Sequence, residues 1–123
     1  MKFDVSFYED KNGKSETWDF IDNLRIKAQK SKDARIQYKQ IVFYLELLEQ
    51  HGTNLPSTYT KHIEEDIWEL RPGNNRIFYF YSDEKSFVLL HSFRKKPPKP
   101  PRRQIEKAKS ERNDYISRRR NFI

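Results

Sequence analysis

The stretch Ile67-Trp68-Glu69-Leu70-Arg71-Pro72-Gly73-Asn74-Asn75-Arg76-Ile77-Phe78-Tyr79-Phe80-Tyr81 constrains this chain most, because it reads as strand, tight turn and strand. Trp68 and Leu70 alternate with Ile67, Glu69 and Arg71, the period-2 pattern of a half-buried strand. Pro-Gly-Asn-Asn is turn chemistry: proline presets φ, and glycine and asparagine tolerate positive φ. The second run is aromatic and β-branched after Arg76. Arginine is seldom built into buried strands for packing alone. Arg71 and Arg76, which flank the turn, are therefore the first candidates for function.

The flanking sequence supplies what such a hairpin packs against. Phe3, Val5 and Phe7 alternate with Asp4 and Ser6, giving a strand with one wet face. Ser15 is an N-cap candidate for a short helix carrying Trp18, Ile21, Leu24 and Ala28 inward. Ser31 or Asp33 caps a second helix, in which Tyr38, Ile41, Val42, Leu45 and Leu48 form a core-facing stripe. Gly52 stops it. Residues 53–65 read as a loop with a short strand or turn near Tyr59, in which Lys61 and His62 are able to face a ligand but read rather as solvated loop residues. Ser82-Asp83-Glu84-Lys85 is a second turn, and Phe87–Phe93 an apolar strand of the kind buried on both faces. The order predicts an α+β fold: an N-terminal strand and helical hairpin packed on an antiparallel sheet, with a basic C-terminal helix. The helical hairpin is expected to cover one sheet face and leave the other as the working surface.

With 123 residues the chain is expected to form a single domain, 1–123, with a proline-rich link at 97–101 and a basic helix at 102–120 that frays at Arg118-Arg119-Arg120. There is no cysteine, and His51, His62 and His91 fit no metal-ligand spacing, so neither metal nor cofactor is expected. No apolar run approaches the ~18 residues that span a bilayer, and the first residues lack a signal-peptide pattern. The expectation is a soluble cytoplasmic protein with no membrane partner.

Charge distribution says more than the net of +7. Residues 94–120 hold twelve Lys/Arg against Glu106, Glu111 and Asp114, a net of +9, and the remainder of the chain carries −2. Such a block favours a polyanion through phosphate contacts and counterion release. The alternatives to that favoured reading are a tail kept for solubility and a surface that pairs with an acidic protein. Alternation places Arg76, Phe78 and Phe80 opposite Ile77, Tyr79 and Tyr81, and His91, Phe93 and Lys95 opposite Ser92, Arg94 and Lys96. A cluster of Glu69, Arg71, Arg76, His91, Lys95 and Lys96 at the strand ends is geometrically allowed. Arg94, Lys99, Arg102 and Arg103 extend it as RNA-binding candidates.

No nucleophile elbow, HExxH, Walker loop or histidine pair is present. RNA cleavage needs none of them: the 2′-hydroxyl loses a proton, attacks the adjacent phosphorus and expels the 5′-oxygen. Arginine and lysine stabilise the charge on the phosphate oxygens, and a lysine of lowered pKa among other cations is one possible base. The same cations also suit plain phosphate binding. His91 reads two ways, as imidazole chemistry or as a buried hydrogen-bonded histidine.

Trp68-Glu69-Leu70-Arg71, Asn75-Arg76-Ile77-Phe78-Tyr79, Leu89-Leu90-His91-Ser92-Phe93-Arg94-Lys95-Lys96 and the segment Pro100 to Ala108, in that order and spacing, resemble the HigB group of the RelE/ParE toxin superfamily, including its phage-derived members. The resemblance runs over residues 64–110 and implies a RelE-like fold. It implies the toxin of a type II toxin–antitoxin pair, a metal-independent endoribonuclease that cuts mRNA on the ribosome. Its implied partner is a HigA-like helix-turn-helix antitoxin, assembled with it as a heterotetramer. By the same resemblance Arg76 engages the scissile phosphate, Lys95 and Lys96 are the basic pair ending the last strand, and Arg71 is the arginine of the first hairpin strand. Where many members carry a tyrosine or histidine after that strand, this chain has Pro97-Pro98-Lys99-Pro100-Pro101, which leaves the acid and base without a match. The competing readings are a ParE-like gyrase inhibitor, against which the dense cationic set weighs, and a noncatalytic RNA- or ribosome-binding protein.

Overall fold

The computed structural model describes residues 2–96 and 101–120. Strand β1 (Asp4–Phe7) is followed by helices α1 (Glu16–Lys27) and α2 (Lys32–His51). Serine side chains start both helices, because a serine Oγ can take a first-turn N–H that has no partner inside the helix. Ser15 accepts from Trp18 N–H at 3.0 Å and Ser31 from Ala34 N–H at 3.1 Å. Gly52 closes α2 at φ +59, and a Cβ there would lie 2.9 Å from the Phe3 ring. Two inward positions differ from the sequence reading. Thr17, Ile21 and Leu24 form the buried stripe of α1, whereas Trp18 is 53% exposed and stands edge-on against Phe7. Thr17 takes the inward place because its hydroxyl donates to Leu90 O at 3.0 Å.

The remaining strands are β2 (Thr60–Glu64), β3 (Ile67–Leu70), β4 (Asn75–Asp83) and β5 (Ser86–Arg94). They form one sheet in the order β1-β5-β4-β3-β2, antiparallel except for the β1–β5 pair. Strand β2 lies where the sequence reads mainly as loop. It is an edge strand whose one buried side chain is Thr60, so it shows little alternation. Backbone pairing with β3 holds it, and the Thr60 hydroxyl bridges to Glu69 O at 2.8 Å and Tyr79 Oη at 2.6 Å.

The helical hairpin covers one sheet face through Ile21, Leu24, Ala34, Ile41 and Leu48 against Leu70, Ile77, Tyr79, Phe87 and Leu89. The opposite face is not an open working surface. Helix α3 (Arg102–Arg120) lies across it, and Ile105 and Ala108 seal a second core of Ile67, Phe78, Phe80, Val88 and Leu90. Apolar residues on both faces of β4 and β5 demand cover on both sides. The structure is thus a three-layer α+β arrangement consistent with a RelE-like fold. Among the described residues no helix is long and apolar enough to cross a membrane.

A bulge in β5 decides which way its C-terminal half faces. Ile77 pairs with Ser92 but Tyr79 with Leu89, so Leu90 and His91 together oppose Phe78. Leu90 and His91 consequently both face α3, and every residue beyond them changes face relative to simple alternation from Phe87.

Candidate functional site

The C-terminal ends of β3 and β5 and the N-terminal end of β4 meet at one end of the sheet, tied together by the Pro72–Asn74 turn. Asn75 N–H donates to Pro72 O at 3.0 Å, Lys95 N–H to Asn74 O at 2.8 Å and Arg71 N–H to Tyr59 O at 2.9 Å. Gly73 permits the turn with φ +62, and an added Cβ there would collide with the Gln40 side chain. This backbone zipper fixes where Arg71, Arg76 and Lys95 leave the chain.

Arg76 follows the turn on the α3 side of the sheet and is only 7% exposed. Its Nη1 donates to Gly73 O at 2.7 Å and Asn75 O at 2.9 Å, which locks the guanidinium plane. Arg71 is anchored in the same way, with Nη1 donating to Ser57 O at 2.9 Å. Between the two lies the Glu69 carboxylate, its Oε1 at 3.4 Å from Arg71 Nε and 3.8 Å from Arg76 Nε. Lys61 is the cross-strand neighbour of Glu69 on β2. Burial raises the Glu69 pKa, and the positive fields of Arg76, Arg71, Lys61 and Lys95 oppose the rise. Burial lowers the Arg76 pKa while Glu69 supports its charge; arginine nevertheless remains cationic at any physiological pH.

Lys95 and Lys96 are exposed just beyond β5. Lys99 lies outside the described residues. Arg94 points to the opposite face, where its Nη1 donates to Gln37 Oε1 at 3.0 Å and Asn75 Oδ1 at 3.3 Å, so it braces α2 against the turn. Of the two readings of His91, the structure has the buried one. His91 Nε2 bonds to Gln104 Oε1 on α3, the ring lies parallel to Phe93 at 6.0 Å, and burial lowers its pKa, which favours neutral imidazole. Lys61 is exposed, as the sequence reading has it, but it stands on β2 opposite Glu69 rather than in a loop. Its signal lay in pairing across an edge strand, which no local pattern carries. Among the described residues no three His, Asp or Glu side chains converge as metal ligands would.

Among the described residues, five cations of α3 are paired with carboxylates within the molecule. Arg102 forms a two-point pair with Glu64 at 2.7 and 3.0 Å and also holds Glu106 at 2.9 Å. Lys109 pairs with Glu64 and Glu65, Arg112 with Glu65 and Asp66, and Lys107 with Glu16. The acidic β2–β3 turn, with Glu65 at φ +53, is thus the counter-surface of α3. Near the helix end Arg118 pairs with Asp114 at 2.9 Å and lies over the Tyr8 ring, and Arg119 lies over Tyr115. Arg103 is exposed and forms no ion pair with another described residue. Among the described residues of this block, Lys95 and Lys96 stand exposed at the strand end, while the paired cations lie along α3.

Residues 20–113 match the family described as Phage derived protein Gp49-like (DUF891). The matched segment contains the whole strand-end cluster and most of α3. No curated protein matches the chain.

Proposed function

Because the chain belongs to the Gp49-like phage-derived family, a RelE/HigB-like toxin family, we propose that it is the toxin of a type II toxin–antitoxin pair and acts as a ribosome-dependent mRNA endoribonuclease. The observation that carries this reading is the convergence of Arg71, Arg76, Lys61 and Lys95 at one sheet end, with both guanidinium groups held by backbone carbonyls. Charges held in place before the substrate arrives stabilise a phosphorane-like transition state without reorganising. Freely rotating surface lysines give up much of that advantage. Exposed Lys95 and Lys96 border the fixed pair and suit the flanking phosphates.

In this mechanism the RNA backbone crosses the strand ends with one phosphate facing Arg71 and Arg76. The 2′-oxygen attacks phosphorus in line, the bond to the 5′-oxygen breaks, and negative charge grows on oxygens facing the arginines. The products are a 2′,3′-cyclic phosphate and a 5′-hydroxyl. Because α3 covers the sheet and pairs its cations with the β2–β3 turn, the helix supports the platform rather than supplying the main RNA track. The partner is a HigA-like helix-turn-helix antitoxin, and the target is mRNA in the ribosome.

Expression of the protein alone is expected to arrest growth and produce cuts within translated messages. Arg76→Ala and Lys95→Ala/Lys96→Ala are expected to abolish both effects while circular dichroism stays native. Folded variants that remain fully toxic would remove the strand-end site. Growth arrest with intact mRNA and gyrase-linked DNA breaks would replace the ribonuclease reading with ParE-like action.

A further inference from the structure

We infer that Glu69 is the group that takes the 2′-hydroxyl proton, an inference that rests on the ribonuclease reading above. Among the described residues, Glu69 is an anion set among cations: Arg71 after β3 and Arg76 on β4 lie at ion-pair distance, Lys61 is its cross-strand neighbour on β2, and the charge of Lys95 after β5 reaches it. An anion at that position repels each phosphate the cations attract, so on a surface built only to hold RNA it weakens binding. It becomes useful where the ligand brings a proton donor. RNA carries one beside every phosphate, the 2′-hydroxyl that DNA lacks.

The contacts of Glu69 leave it available for that work. Its side chain is 13% exposed, and both arginines approach at ion-pair distance through Nε while spending Nη1 on backbone carbonyls. Among the described residues no hydrogen bond ends on the Glu69 carboxylate. A buried carboxylate without hydrogen bonds is a stronger base than a solvated one, and burial moves its pKa upward toward neutrality. Lys61, Lys95 and Lys96 are exposed at the rim of the site, where they suit flanking phosphates rather than a fixed place between the two arginines. His91 is excluded by position, with its ring turned to Gln104 and Phe93.

The step is balanced without any further reagent. The proton passes from the 2′-hydroxyl to a Glu69 oxygen as the 2′-oxygen–phosphorus bond forms. The phosphorus–5′-oxygen bond breaks, and the leaving oxygen takes a proton from water. Glu69 then releases its proton to solvent, which restores the starting charge.

The test is single-turnover cleavage of a defined message on programmed ribosomes, read with an independent binding measurement across the acidic-to-neutral range. Glu69→Gln keeps shape and hydrogen-bonding capacity but cannot accept the proton. It is expected to bind the programmed ribosome at least as tightly as wild type and to cut about 100-fold or more slowly, the range of a general base. Its rate is also expected to lose the rise with pH that wild type shows through the Glu69 titration. Glu69→Asp, which retains a carboxylate, is expected to keep that rise at an intermediate rate. A Gln variant that cuts at the wild-type rate, or slows with its pH dependence intact, or loses affinity in proportion to rate, overturns the assignment. Wild-type protein that leaves the message whole removes the ribonuclease reading itself, an outcome distinct from any behaviour of the variants.

Discussion

Glu111→Gln is expected to stabilise the protein above neutral pH and to leave it unchanged in acid. Glu111 sits on α3 between Ala108 and Tyr115, on the flank that faces the sheet, and its Oε1 is buried with no hydrogen-bond partner among the described residues. Burial pushes its pKa up from 4.5 to about 7; Lys107 opposes the rise and Glu16 adds to it. A folded-state pKa above the unfolded one means that the neutral acid is favoured by the fold. That advantage is complete below pH 4.5 and is lost as pH rises through about 7. Gln mimics the neutral form at every pH. Each tenfold change in proton affinity is worth about 1.36 kcal/mol, so the ceiling on the gain is about 3 kcal/mol. Glu111 is only half-buried, and solvent screening reduces the expectation to about 1–2 kcal/mol. At roughly 4 °C per kcal/mol for a chain of this size, Tm should rise by about 4–8 °C at pH 8 and by less than about 1 °C near pH 4.5. Thermal melts followed by circular dichroism at matched ionic strength read this directly. An equal shift at both pH values, or a lower Tm at pH 8, would refute the ionisation argument.

Two further expectations concern α3. Ile105→Ala removes a 3% exposed side chain from the second core and should cost about 2–5 kcal/mol, seen as a lower urea midpoint with unchanged slope; an unchanged midpoint would mean that α3 does not seal that face. Truncation before Arg102 should for the same reason abolish the native fold rather than merely weaken polyanion binding. Glu64→Gln/Glu65→Gln releases Arg102, Lys109 and Arg112 from their carboxylate partners. Tm should fall, because Lys109 and Arg112 are themselves only 15% and 11% exposed and are left short of partners, and the salt slope of single-stranded RNA binding should steepen by about 0.7 for each cation that finds a phosphate. A slope equal to wild type would show that the freed cations do not meet RNA.

The readable part of the candidate site was its strand-end residues. Arg71 and Arg76 stand out because they flank a turn in strands otherwise fit for burial, and alternation places Arg76 with Phe78 and Phe80 on one face, as the structure does. The destination of the tail cations was not readable. Arg102 and Lys109 look like free positive charge until Glu64 and Glu65 are brought beside them. Arg94 is adjacent to Lys95 in the chain but serves α2. The facing of His91 was not legible in pattern alone, since the bulge that turns it toward α3 depends on the register of β4 against β5.

Sequence by itself therefore determined the features governed by neighbours a few residues away: the serine caps at Ser15 and Ser31, the Gly52 stop, the Pro72–Asn74 turn and the side-chain alternation of β4. These follow from local sterics and from hydrogen bonds that close within a turn or two. Tertiary structure alone decided that α3 closes the second face, that Thr60–Glu64 becomes an edge strand, and that Glu69 sits between Arg71 and Arg76 with Lys61 as its cross-strand neighbour. Each of those depends on which distant surface supplies the partner, and neither burial nor the field at a carboxylate exists until that partner is in place.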